Sequence, residues 1–441
     1  MYKIGLYERE ITPLFGNSIR GYFNLRLVDG VKEKTYAKAA VIDDGKQVVA
    51  MLAIDACGIT DKLCEAVYKK VSKYIKIEKS NLMISATHSH TAGPIDSDNE
   101  EADQELDGLY IEWLYNACAD TIICAYQRRE NARLKLTIAK IEGITFCRNY
   151  LLKNGVSRTN PGIGNPDIVR PIGEVDPFAP ILVVENEQGK DIGIIYSFAN
   201  HQDSVDGTEV SGDWSSIVAL RMKEKYGSDF ISVMFYGTAG NINQVDVNNT
   251  DKDYDPPHSH YYLGNTVADA ILKVIDKTKY LDGDIKVAYQ TKIYNMRVPT
   301  IDEINERQEL LNRVEIPKKV KLDASSPKEL FDACMARSAL RFTFSAKKYY
   351  QIKMQIIQIG SVKIFALPGE VFSQYGAKIK SAFSDYTCFF ACLSNNRSGY
   401  MPAKECYLPE LYESLYGSAA FYPEDVENIF DSFIELGKTQ K

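Results

Sequence analysis

The 441-residue chain has only five histidines, and two of them, His88 and His90, stand one residue apart in ISATHSHTAGP (Ile84 to Pro94). Neutral imidazoles suit Zn2+, and a catalytic zinc typically takes three protein ligands and keeps a position for water. An H-x-H pair therefore offers two jobs, metal ligation and proton transfer, with packing or capping as the plain alternative. If the backbone stays extended, side chains 88 and 90 point the same way, because strand side chains alternate. His201 in ANHQD and Glu370 in LPGE are further ligand types at apolar segment ends. His201 could equally close a strand, and Glu370 after Pro-Gly could begin a helix, where a carboxylate favours the dipole. A second HSH, His258 and His260, follows the acidic stretch NNTDKDYDPP. It reads as a solvated loop with polar helix-entry residues, or as a second metal or substrate contact. In GTAGNIN (237–243), small residues let backbone N–H groups approach an anion or oxyanion. That turn lacks the spacing of a phosphate-binding loop, so nucleotide binding is rejected.

These stretches need elements to position them. Apolar strand patterns run over 46–57, 81–87, 132–144 and 230–237, with a hairpin pattern over 181–201 around EQGKD. Helical periodicity predicts helices over 61–77, 110–130, 215–227, 265–278 and 371–383, and again at the C-terminus. An extended run covers 285–298, a second hairpin 355–370 and a strand 387–394. The alternation predicts an α/β fold, a mixed β-sheet core covered by helices. No linker, low-complexity tract or repeat divides the chain, so residues 1–441 read as a single catalytic domain. The largely helical block 301–350 is a candidate cap within it. Polar clusters fall where strands end, which is where open α/β sheets place ligands.

Composition narrows the function. Hydrophobic residues make up 45% and charged residues 25%, and the net charge is −7, an ordinary soluble balance that argues against nucleic acid and anionic membrane. No run approaches the ~18 apolar residues of a membrane span, and no secretory pattern opens the chain. The nine cysteines, odd in number and without a CxxC pair, read as reduced buried thiols. A cytoplasmic protein with a small-molecule substrate and no stable membrane insertion is expected; oligomeric state is not legible.

The ordered set ITPLFG, RGY, ATHSHTAGP, FANH, SGDW, GTAGNIN, LPGE and SNNRSGY resembles the catalytic domain of the neutral/alkaline non-lysosomal ceramidases, from Ile11 to Tyr400. The resemblance implies a zinc-dependent amidase whose ligands fall on His88, His201, Glu370 and Tyr400. It places His90 near the reacting amide, matches Arg148 in FCRNY to a family arginine, and gives Asp213 a structural or supporting role. It also exposes a departure. Asn243 occupies the position of the family's catalytic serine, where it could hydrogen-bond water or an oxyanion but cannot act as a nucleophile. That change, with the lack of a C-terminal immunoglobulin-like domain and secretory signal, argues against ceramide. The expectation is a zinc-dependent hydrolase cleaving an amide bond of a small polar substrate, with His90, Arg148 and Asn243 as catalytic residues. A zinc-dependent carbohydrate-processing enzyme or lyase, and a non-catalytic metal-binding homologue, stand as alternatives.

Overall fold

Continuous apolar runs such as VVAMLAI can be buried on both faces only if each face meets another layer. A computed structural model describes residues 1–22, 24–96, 102–251, 259–317, 328–344, 348–408 and 410–440. In it β1 (Tyr2–Glu10), β2 (Tyr36–Asp43), β3 (Val48–Ile54), β4 (Leu82–Ala86), β5 (Glu130–Lys140), β6 (Phe178–Asn186), β7 (Asp191–Phe198) and β8 (Ile231–Tyr236) form one large sheet. Its order is β8-β7-β6-β5-β1-β2-β3-β4, with β9 (Lys279–Leu281) added on β5. The pairs β3–β4 and β7–β8 are parallel and the rest antiparallel. A second sheet runs β10 (Ile285–Asn295), β11 (Tyr349–Ile359), β12 (Val362–Ala366), β13 (Thr387–Ala391).

The two sheets stack. In β3, Val49, Met51 and Ala53 join Ile357, Ile364 and Phe389 of the second sheet in one core, while Ala50, Leu52 and Ile54 face the helices. Period-two alternation thus divides an all-apolar strand between two cores. On the outer face of the large sheet lie α1 (Asp61–Val71), α2 (Gln104–Gln127), α3 (Asp213–Tyr226) and α4 (His260–Val274). Two further helices, α5 (Ile301–Arg313) and α6 (Lys328–Phe344), precede β11. Over the second sheet lie α7 (Ser373–Ala382) and α8 (Pro423–Lys438), packing Tyr375, Ile379, Phe430 and Phe433 with Ile356, Phe365 and Phe390.

The mixed-sheet α/β expectation is correct, but the core is two stacked sheets rather than one. The expected strands and helices all occur with shifted ends; α1 stops at Val71 and α2 begins at Gln104. There Asp103 caps the helix by accepting from the N–H groups of Glu105 and Leu106. The sequence reading missed β1 and β2. YKIGLYERE carries four charged positions, yet β1 lies in the middle of the sheet because β2 and β5 pair with it on both sides.

After β13 the chain threads between the two edges of the large sheet. Cys392 N donates to Tyr236 O of β8, and Ala86 N of β4 donates to Leu393 O. Asn395 N then donates to Ile84 O. The sheet therefore closes on itself at the carboxyl ends of its parallel strands, where the polar clusters emerge.

Candidate active site

His88 lies two residues beyond β4 and adopts φ of +74°, so the backbone is not extended there. Its N–H donates to Ala56 O, and the chain turns so that His88 and His90 still bring their Nε2 atoms to 3.3 Å. His201, three residues beyond β7, places its Nε2 3.2 Å from that of His88. Glu370 Oε2 stands 3.3 Å from His88 Nε2 and 3.9 Å from His201 Nε2. Glu370–Val371 and Tyr400–Met401 pair as two parallel strands in which Glu370 lies beside Tyr400. The approach depends on glycine: a Cβ on Gly369 would lie 2.6 Å from Gly399 O. The Tyr400 hydroxyl hydrogen-bonds the Glu370 carboxylate and also reaches Arg148. Four residues from strand ends distant in sequence thus meet at one point.

The hydrogen bonds around the rings define what this point can hold. His88 Nδ1 faces Cys57 O at 2.8 Å, and His201 Nδ1 faces Ile242 O at 3.0 Å and Ala239 O at 3.2 Å. Carbonyls only accept, so each Nδ1 carries a hydrogen, and each ring in its neutral form would turn its lone pair inward at Nε2. Glu370 Oε2, buried, has no hydrogen-bond partner. Tetrahedral ligands at metal distances of ~2.0–2.2 Å stand about 3.3–3.6 Å apart. The separations of 3.2 and 3.3 Å lie close to that edge length, and the third, 3.9 Å, is longer. One proton shared by three acceptors cannot satisfy all of them at such distances, whereas a cation can, and the donor set fits a divalent metal. Burial opposes charge on both partners, yet Glu370 raises the His88 ring to about 10 and His88 holds the Glu370 carboxyl well below its usual range, so without a cation the pair keeps a proton that a metal would displace. Burial and the neighbouring His88 and His201 rings push His90 well below the ordinary histidine value, rather than leaving it near 6.5.

Arg148 is buried and largely engaged. Nε pairs with Glu413 Oε1 at 2.7 Å, Nη2 donates to Gly240 O at 2.7 Å, and Nη1 lies 3.5 Å from His201 Nε2. Asn243 donates to Asn160 Oδ1 at 2.9 Å and accepts from Val245 N at 3.1 Å, with its side chain on the cleft wall. Most N–H groups of the 237–243 turn face protein carbonyls. Those of Gly237, Ala239, Gly240 and Ile242 are spent on protein carbonyls, and the carbonyls of Ala239 and Ile242 orient His201 instead. Asp213, at φ +57°, accepts from the N–H groups of Ser204 and Val205, while Trp214 Nε1 donates to His201 O at 2.8 Å. It is a support for the His201 loop. His258 lies outside the described residues. His260 is buried rather than solvated, with Nε2 2.9 Å from Glu33 Oε1, where it ties the start of α4 to the N-terminal segment.

The profile of the neutral/alkaline non-lysosomal ceramidase N-terminal domain matches residues 2–247, more than half of the chain. The chain belongs to this family. Among solved structures, a neutral ceramidase from Pseudomonas aeruginosa superposes with a TM-score of 0.74 at 17% identity, covering 99% of this chain and 74% of that one. A ceramidase complexed with C2 gives 0.73 at 16% identity, with the same coverages. No curated protein matches the sequence. Membership in the ceramidase family supports a hydrolase acting on amide bonds.

In this ceramidase-family chain, two clefts meet at His201. One, of about 940 Å³, runs past Arg26, Asp29, Asp206, Asn243 and Gln244. The other, of about 570 Å³, runs past His90, Arg158, Tyr400, Tyr412 and the α6 residues Lys328, Phe331 and Asp332. Tyr22, Arg148, Asn160, His201 and Asp203 line both. Sequence reasoning missed Tyr22, Asp203, Tyr236 and Glu413. Tyr22 and Asp203 did lie inside quoted motifs, RGY and ANHQD, whereas nothing around Glu413 in LYESLYGS marks it.

Proposed function

We propose that this chain is a zinc-dependent hydrolase that cleaves a carbon–nitrogen amide bond of a small polar substrate. The observation that carries the reading is the convergence of two imidazole Nε2 atoms and a carboxylate oxygen without a hydrogen-bond partner beside a cleft that His201 lines. His88, His201 and Glu370, with Tyr400 beside them, would hold zinc, which supplies Lewis-acid polarisation of a carbonyl and lowers the pKa of water toward about 7. His90 Nε2 faces the same point, and there it takes the proton of the attacking water and returns it to the departing nitrogen. Arg148 Nη1 is a donor on the side where negative charge develops on the carbonyl oxygen. Asn243 orients substrate or water from the wall, a role its amide can fill without nucleophilic chemistry.

Asp29, Asp206, Asn243 and Gln244 offer partners to a polar substrate, beside the apolar Leu25, Leu27, Val28 and Val245 of the same wall. Asn243 in place of the family's serine is the feature that favours a substrate other than ceramide. The α6 residues on the second wall support a cap role for that part of 301–350, of which 318–327 and 345–347 lie outside the described residues. A cleft beside His90 favours catalysis over a closed structural metal site. Nine thiols without a disulfide fit the reducing cytoplasm that we propose as its location.

The test combines metal analysis with a substrate panel. One zinc per chain is expected, and N-acetylated polar amines should be hydrolysed in preference to ceramide and to sugar derivatives lacking an amide. His201→Ala should abolish both metal retention and activity. Protein without stoichiometric metal whose activity survives His201→Ala would refute the assignment.

A further inference from the structure

His90 is enclosed by Gly21, Tyr22 and Arg26 and by Asp203, groups that metal binding does not use. Gly21, at φ +122°, lies flat against it, since a Cβ there would stand 2.9 Å from His90 Cα, Cβ and Cγ. Arg26 Nη2 donates to His90 O at 2.5 Å, and its guanidinium covers the Tyr22 ring 4.0 Å from the centroid. The Tyr22 ring in turn meets the His90 ring edge-on at 5.5 Å. The Tyr22 hydroxyl donates to Asp203 Oδ1, and that same oxygen stands 3.5 Å from His90 Nδ1. His90 Nδ1 is buried and has no hydrogen-bond partner.

We propose that Asp203 is a positioning residue for His90. Its carboxylate, steadied by Tyr22, takes the Nδ1–H of His90 and keeps the Nε2 lone pair turned toward the reacting amide. The proposal rests on His90 as the proton carrier. A neutral imidazole has one N–H and one lone pair, and Asp203 Oδ1, which accepts from the Tyr22 hydroxyl, is an acceptor at Nδ1 and so selects the Nδ1–H form. The separation exceeds hydrogen-bond length by about half an ångström, and such contacts tighten when substrate is seated. Glycine at 21 brings the loop close enough, the Tyr22 hydroxyl occupies one lone pair of Asp203 Oδ1, and the other is left for His90.

The zinc-loaded full chain, labelled with 15N-histidine, reports the form directly, with His90 assigned by its absence in His90→Gln. Wild-type His90 should show a protonated Nδ1 and an unprotonated Nε2, and Asp203→Asn should move the majority to Nε2–H. A wild-type ring protonated at Nε2, or an unchanged ring in Asp203→Asn, overturns the proposal. Should Asp203→Asn fail to fold, Tyr22→Phe at a ring 37% exposed serves instead, and is expected to lower the Nδ1–H population. With an N-acetylated amine as probe, Asp203→Asn should lower kcat about 100-fold while KM changes less than about threefold. That loss should vanish in a His90→Gln background, and additive losses would overturn the proposal. Absence of any amide hydrolysis by the wild type counts against the proposed function, and the ring-nitrogen result still decides the role of Asp203.

Discussion

His88 bends the chain at φ +74°, a left-handed conformation that costs a non-glycine residue on the order of 1–3 kcal/mol. Two backbone contacts hold it there, the His88 N–H on Ala56 O and Nδ1 on Cys57 O, so the strain is carried by the segment that follows β3. Gly21 is the counterpart on the His90 side. Gly21→Ala would combine the unfavourable φ with a 2.9 Å contact against His90. We expect it to lower stability by roughly 1–3 kcal/mol and to displace His90. Urea denaturation with a kinetic assay checks this, and wild-type values for both would show that the loop does not press on the ring. Glu370→Gln keeps the shape of the side chain and removes its charge. Zinc affinity should fall at least ~100-fold, measured by competition with a chromophoric chelator, because an amide oxygen is a far poorer ligand than a carboxylate.

At the scale of elements, β12 and α8 are joined by a buried lysine. Lys363 is 1% exposed and donates to Gln358 Oε1 at 2.7 Å, and to Gly437 O and Gln440 Oε1 at 3.0 Å each. No carboxylate is among these partners, and burial pulls its pKa down to about 8. An unfolded lysine titrates near ~10.4, so between pH 8 and 10 the unfolded chain binds more protons than the folded one. The cost of charging Lys363 is therefore complete below pH 8 and relieved as pH rises toward 10. The stability of wild type relative to Lys363→Met should increase over that window, as followed by chemical denaturation at each pH. A constant difference would mean that the ammonium is not disfavoured in the fold.

For the whole molecule, the candidate ligands come from the ends of β4 and β7 and from the segments after β12 and β13. A cation bound by all of them ties both sheets together and should stabilise the native state by mass action. At a free zinc concentration 100 times Kd the gain is about 2.7 kcal/mol. Chelation should accordingly lower the melting temperature by a few degrees, and zinc, but not magnesium, should restore it, since imidazole and carboxylate together suit zinc. A melting curve unaffected by chelator would contradict a metal at this point.

The types and order of the site residues were legible in the sequence because each stands just beyond an apolar run, and strand ends are visible as breaks in that pattern. The α/β class was legible for the same reason, through alternating periods. Strands β1 and β2 were not, since their polar residues hide burial that arises only from neighbours on both sides. Nor was the second sheet, because an apolar run reads alike whether its outer face meets a helix or another sheet. The sequence by itself determined that His88, His90, His201, Glu370 and Tyr400 are present at strand ends in a chain of this family. Only the tertiary structure decided that three of their donor atoms meet with their lone pairs converging, that the 237–243 turn offers carbonyls to His201, and that Asp203 faces His90. Those relations follow from closure of the large sheet around residues 392–395, a long-range event no local pattern encodes.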